Sequence, residues 1–239
     1  MPNIYSSTND GDVRVLTTSG WNSARGADTG TANSAFSSDF NFTAIAIARI
    51  ARGAVRHIIS RAFFEFDTSG ISGQPDSVTL KLYGAGVANS GSFIAVRSTH
   101  SATLADGDYD AIYNSSTELG LTDGSGAGTL ASVSGLLYST GDGSGGTGEI
   151  SSSGWDTSGY NDITLNAQAL TDMASEDTFK VCLMNYTYDY LDIEFTGTGF
   201  GVLIGTYYAD YTGTSRDPYI DYSVASAVTY NATFFGANF

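Results

Sequence analysis

Short runs that alternate between apolar and polar residues, each closed by glycine, recur along most of this chain and leave little room for helix. Ser60 to Asp67 places Ala62, Phe64 and Phe66 on one face and Arg61, Phe63 and Glu65 on the other. After a loop marked by Gly70, Gly73 and Pro75, Ser77 to Tyr83 alternates again, with Val78, Leu80 and Leu82 inward and Thr79, Lys81 and Tyr83 outward. Phe93 to Val96, Ile163 to Leu165, Thr178 to Met184, Tyr188 to Phe195, Gly201 to Tyr208 and Tyr219 to Val224 supply further strands, and one more falls near Ala131 to Tyr138. In the last of the main series, Ile220, Tyr222 and Val224 point inward and Tyr219 and Asp221 outward.

One segment carries helical spacing. Ala169, Leu170 and Met173 cover one face, and Asn166 stands where an N-cap belongs. Many short strands, glycine-rich turns and a single helix predict an all-β fold: an antiparallel β-sandwich (jelly roll) with one short helix and extended N- and C-terminal arms. The pattern divides the chain into an N-terminal arm with strands over 1–45, the sandwich over 46–224, and a C-terminal docking tail over 225–239. That tail ends on an apolar group containing Phe234, Phe235 and Phe239, which docks either on a partner or on its own sandwich.

Charge narrows the partners. Ten basic residues against 25 acidic ones leave a formal charge of −15, and only two of the basic residues are lysines. Nucleic acid and anionic membranes both need a concentrated basic surface, so neither is an expected partner. No apolar run reaches the roughly 18–20 residues needed to span a bilayer. A single cysteine, Cys182, excludes an internal disulfide framework. Met1 to Ser7 lacks the basic and apolar regions of a secretory signal, whereas the Ser-, Thr- and Tyr-rich composition suits an exterior-facing protein. Assembly in a host cytoplasm followed by work outside it describes a virion component.

Three side-chain groups are candidates for chemistry. His57 and His100 fall in different segments without a Ser or Cys motif and read as strand-edge or loop histidines. Glu65 and Glu194 are outward carboxylates of the type a glycosidase pairs. No nucleophile-elbow, zincin or phosphate-loop motif is present, and the chain is not expected to be an enzyme. Asp106, Asp108 and Asp110 alternate in a loop with a spacing that suits a structural calcium, against the simpler reading of a solvated acidic loop; no other cofactor is expected.

Two groups suit binding. Arg49, Arg52 and Arg56, with Arg61 and His57, lie in thirteen residues free of acids, so they either dock an acidic partner or pair with this chain's own carboxylates. Tyr186, Tyr188 and Tyr190 alternate on one strand face and form a candidate platform for stacking a glycan, with Tyr207, Tyr208 and Tyr211 clustered later. Trp155 reads as a packing residue.

Three blocks add up to a resemblance. Arg61 to Ile71 followed by Ser77 to Tyr83, then Gly154 to Asn166 with Lys180 to Leu183, and finally Tyr207 to Ile220 together resemble the β-sandwich modules of phage and bacterial surface proteins. Those modules are the DNRLRE-like and carbohydrate-binding-module-like jelly rolls. The likeness covers about Arg61 to Val224 and implies an antiparallel jelly roll, with no catalytic residue to carry over. The expected function is that of a structural virion protein of a phage, foremost a capsid decoration or cement protein acting by assembly. Its partners would be copies of itself, with a trimer the guess from type, and the major capsid or another virion protein. The alternative is a carbohydrate-binding module or adhesin on a fibre or appendage that binds host-surface glycans.

Overall fold

A computed structural model describes residues 3–34, 43–113, 134–141 and 147–224 of the chain. Twelve strands are placed among them: β1 (Asn3–Tyr5), β2 (Gly11–Thr17), β3 (Thr31–Asn33), β4 (Thr43–Ile50), β5 (Arg56–Asp67), β6 (Ser77–Ala88), β7 (Ser92–Arg97), β8 (Ile150–Ser151), β9 (Tyr160–Thr164), β10 (Thr178–Asn185), β11 (Gly199–Thr206) and β12 (Tyr219–Ser223). Two α-helices join them, α1 (Trp21–Arg25) and α2 (Ala167–Ser175). The fold is an all-β, antiparallel sandwich, with hydrogen-bonded order β1-β12-β6-β11-β4-β5-β10-β7-β8 and β2, β3 and β9 branching from it.

The long strand β6 connects the two layers. Its first half, Ser77 to Tyr83, pairs with β12 and β9, while Gly84 to Ala88 pair with β11. The crossing falls at Gly84, where an added Cβ would stand 2.0 Å from the Asp156 carbonyl oxygen, so only glycine admits this approach. Between the layers lies one apolar core, with Val78, Leu80, Leu82, Ile163 and Ile220 facing Ala62, Phe64, Phe66, Val181 and Leu183.

A second core covers the opposite face of the large layer. There Phe63, Ile94, Val96, Cys182 and Met184 meet Trp21, Leu104, Tyr109, Ile112 and Tyr190 from the connecting segments. Strand β5 is therefore buried on both faces, and its outward residues are not outward. Glu65 is 6% exposed because the N-terminal segment crosses it: Ser7 Oγ and Asn9 Nδ2 donate to its Oε1 at 2.8 and 3.3 Å. His57 is likewise buried in a central strand, flanked by Thr17 of β2 and Arg49 of β4 rather than at an edge.

The N-terminal strands belong to the sandwich itself. β1 pairs with β12, β2 lies against β5 from Gly11 to Thr17, and Ser6 N–H bonds the Pro218 carbonyl at 2.8 Å. Helix α2 stands where its spacing predicts, with Asn166 Oδ1 accepting from Gln168 N and Ala169 N. The strand predicted over Tyr188 to Phe195 is absent: Tyr186–Tyr190 form one π-helical turn. Near Ala131 to Tyr138, the described part makes only single bridges, such as Leu137 to Val96. No helix among the described residues is long and apolar enough to cross a membrane.

Candidate recognition face

Outward positions of the smaller layer carry aromatic rings. Directly opposed strand residues share a face, and the register sets Tyr83 opposite Tyr160 and Tyr5 opposite Tyr219. The rings form a continuous series: Tyr5–Tyr219 at 5.6 Å between centroids, Tyr219–Tyr160 at 5.0 Å, Tyr160–Tyr83 at 5.2 Å, Tyr83–Tyr207 at 5.7 Å and Tyr207–Tyr211 at 4.5 Å. Most are tilted or edge-to-face, the arrangement ring quadrupoles favour. Arg216 lies over three of them, 4.7 Å from the Tyr207 centroid and 5.2–5.3 Å from those of Tyr211 and Tyr83.

The face is rigid. The Tyr160 hydroxyl donates to the carbonyls of Ser215 and Asp217, and the Tyr83 hydroxyl to that of Ser158. Burial, then the neighbouring Tyr219, pushes the Tyr160 phenol up to about 12, so it stays protonated across physiological pH. Tyr5 remains 47% exposed and the other rings are half-buried.

A cleft of about 370 Å³ adjoins the series along β9, lined among others by Ile150, Trp155, Asp156, Tyr160, Asn161 and Asp162. It opens between β9, an edge of the smaller layer, and β8, an edge of the larger. Trp155 packs edge-on against Phe93 and donates its indole N–H to the Gly205 carbonyl, which makes it the wall between cleft and core. Ser158 N and Oγ donate to Asp156 Oδ1 at 2.8 Å each, holding that carboxyl below its usual range and ionised. Asp162 takes both its bonds from Lys81 Nζ, at 2.7 and 2.6 Å. The cleft thus sets aromatic surface beside carboxylate hydrogen-bond acceptors.

The tyrosines expected to form the platform are placed elsewhere. Tyr186, Tyr188 and Tyr190 wind around the π-turn instead of lining a strand, and all three pack against the second core, with Tyr190 only 6% exposed. The turn starts where Asn185 Oδ1 accepts from Tyr188 N at 2.7 Å and ends the strand. Its product is Asp189, turned inward to meet Arg61: Oδ2 and Oδ1 accept from Arg61 Nε and Nη2, both at 2.7 Å, with every side chain involved fully buried. Alternation does place Tyr83 and Tyr219 outward. What it lacks is the pairing that brings Tyr5 and Tyr160 to them from distant segments.

The calcium loop also resolves differently. Asp106 Oδ1 accepts from Ala32 N, while the Asp108 carboxylate takes Ser101 N, Ser101 Oγ and Ala105 N. Asp106 and Asp108 thus spend these oxygens on backbone and hydroxyl donors, and no cluster of three metal-ligating side chains occurs among the described residues to join Asp106, Asp108 and Asp110.

Of the four arginines in the acid-free window, Arg61 is the one consumed by an internal carboxylate. Arg52 and Arg56 are exposed at the β4–β5 hairpin tip, and Arg49 reaches only the carbonyls of Thr196 and Gly197, at 3.4 Å. Among the described residues, no carboxylate lies within 4 Å of these three guanidinium groups. Phe234, Phe235 and Phe239 lie outside the described residues.

Acid–base candidates do not assemble. His57 Nε2 lies 3.8 Å from Glu194, whereas Glu65 sits eight residues further along β5, about 26 Å at 3.3 Å per residue. Paired glycosidase carboxylates need roughly 5–10 Å, so these two are not such a pair. His100 is buried rather than in an open loop; burial, with help from Lys180, pulls its imidazole down to about 4. Ser98 Oγ is 2.8 Å from His100 Nδ1 but donates to the Ala111 carbonyl, so the hydroxyl is a structural link and not an activated nucleophile. Comparison with protein-family models finds no match for this chain, and comparison with curated proteins finds none either.

Proposed function

We propose that this chain is a non-catalytic surface component of a phage particle whose tyrosine face binds host-surface glycan. The observation that carries this reading is the series Tyr5–Tyr219–Tyr160–Tyr83–Tyr207–Tyr211 beside an open cleft with ionised acceptors. Fixed rings stack on sugar faces with little entropy left to lose, and carboxylates accept from hydroxyls. The exterior-type composition and the likeness to surface sandwich modules supply the setting. Replacing a single ring tests it. Tyr219→Ala is expected to weaken glycan binding at least about tenfold, or 1.4 kcal/mol, on a glycan array followed by calorimetry. A wild-type chain that binds no glycan on the array ends this reading.

The second reading is assembly, as a decoration or cement protein in a symmetric oligomer such as a trimer, and the hairpin tip favours it. Three guanidinium groups with no carboxylate within 4 Å among the described residues, on a chain of charge −15, form a surface suited to docking an acidic neighbour, the major capsid protein among the candidates. The double reversal Arg52→Glu/Arg56→Glu is expected to abolish incorporation into particles while leaving the melting temperature within about 1–2 °C, since both side chains are exposed. Incorporation unchanged by the reversal removes the hairpin from assembly.

A further inference from the structure

We infer that the tyrosine face selects neutral glycans and excludes polyanionic ones, an inference that rests on the glycan-binding reading above. Acid stands on four of the segments bordering the rings, whereas β1 and β6 bring none. The loop before β9 presents Asp156, β9 presents Asp162, the segment after β11 presents Asp210, and β12 presents Asp221. Two cations stand among them, and both are engaged. Lys81 Nζ is held by the two Asp162 oxygens, and Arg216 lies against the faces of Tyr83, Tyr207 and Tyr211 with its Nη1 donating to the Tyr211 hydroxyl at 3.4 Å.

Among the described residues, a uronate, sulfate or phosphate group arriving at this face finds no guanidinium fork turned outward to receive it, which is how proteins bind such groups with specificity. It also meets local carboxylates and the field of a molecule carrying −15. A neutral sugar meets the same groups as ring surface and hydrogen-bond acceptors. Ionised Asp156 in the cleft accepts hydroxyl protons and gains strength from its charge, whereas the same charge repels an anion. The cleft volume of about 370 Å³ sits at the small end of the range of ligand sites, consistent with one or two sugar rings anchored there and the rest of a polymer laid over the exposed rings.

Two polymers of one backbone make the test: a neutral galactan and its sulfated counterpart, each titrated against the whole chain at low salt and again near 1 M salt. The neutral polymer is expected to bind, and the sulfated one at least tenfold more weakly at low salt. Added salt narrows the gap, because screening shortens the reach of the repulsion to about 3 Å. The double variant Asp156→Asn/Asp162→Asn, checked for an unchanged melting curve, is expected to raise affinity for the sulfated polymer severalfold, since it removes two negative charges and releases Lys81. Sulfated polymer bound as tightly as neutral at low salt overturns the charge selection while leaving glycan binding in place. Failure of both polymers, and of the neutral glycans on the array, overturns the underlying reading together with this one.

Discussion

Arg61 sits at the middle of β5 with its guanidinium fully enclosed, and what surrounds it decides whether that is tolerable. Asp189 meets it at two points, the Tyr109 carbonyl accepts from Nη1 at 2.8 Å, the Arg25 carbonyl accepts from Nη2 at 3.1 Å, and the Tyr109 ring lies 4.1 Å away. Burial alone would lower the arginine pKa, but the adjacent Asp189 outweighs it and the group is held charged. Removing one partner leaves the other charge buried and unpaired. Asp189→Ala is therefore expected to cost about 3–5 kcal/mol in urea denaturation, while replacing both partners by apolar residues of similar volume costs less than the two single changes together. Alternation assigned Arg61 to the outer face of its strand, which is true of its direction and wrong about its surroundings. Its partner lies 128 residues away in a turn, and nothing local in the sequence marks that meeting.

Elements were legible where one residue announces them. The cap at Asn166 identified α2, and alternating stretches identified β5, β6, β10 and β12, because their periodicity is set by the layer they cover. The π-turn was not, since Tyr-x-Tyr-x-Tyr mimics a strand and only the inward demand of Asp189 distinguishes it. For the recognition face, the outward direction of Tyr83 and Tyr219 could be read, whereas their neighbours depend on strand pairing across long separations. Gly84 ties element to site. In Gly84→Ala, the new Cβ would collide with the Asp156 backbone oxygen and the Trp155 indole nitrogen, so the Trp155–Asp156 segment must move. Overpacking of this kind costs about 1–3 kcal/mol, and thermal melts and glycan titration are expected to show lower stability and weaker binding together.

At the scale of the whole molecule, the N-terminal segment straps the two layers together and brings buried acids with it. β1 edges the smaller layer, β2 lies in the larger, and between them Asp10 is fully buried, accepting from Ala209 N at 2.9 Å through Oδ2. Burial raises the Asp10 carboxyl well above its ordinary value, with Asp210 and Asp217 adding to the shift against the Ala209 bond. Asp12 and Asp217, also buried, are raised by the same desolvation, although Ser60 Oγ donates to Asp12 Oδ2 at 2.6 Å. A carboxyl whose native pKa exceeds its unfolded one holds its proton more tightly when folded. Its contribution is present in full below the unfolded value near 3.8 and is lost as pH rises through the raised native value. The exposed Asp67 and Asp156 are shifted down and act oppositely, but only near and below their ordinary range. Between neutral pH and about pH 5 the raised carboxyls gain stability on acidification while the depressed His100 imidazole loses it, so the Asp10 share is read from the difference between the native chain and an Asp10 variant. Asp10→Asn keeps an acceptor for Ala209 and removes the charge; it is expected to melt higher than the native chain at pH 7, with the gap narrowing as the pH falls. An Asp10→Asn chain that melts lower than the native one at pH 7 would mean that the strap is held by an ionised Asp10, contrary to the environment its burial creates.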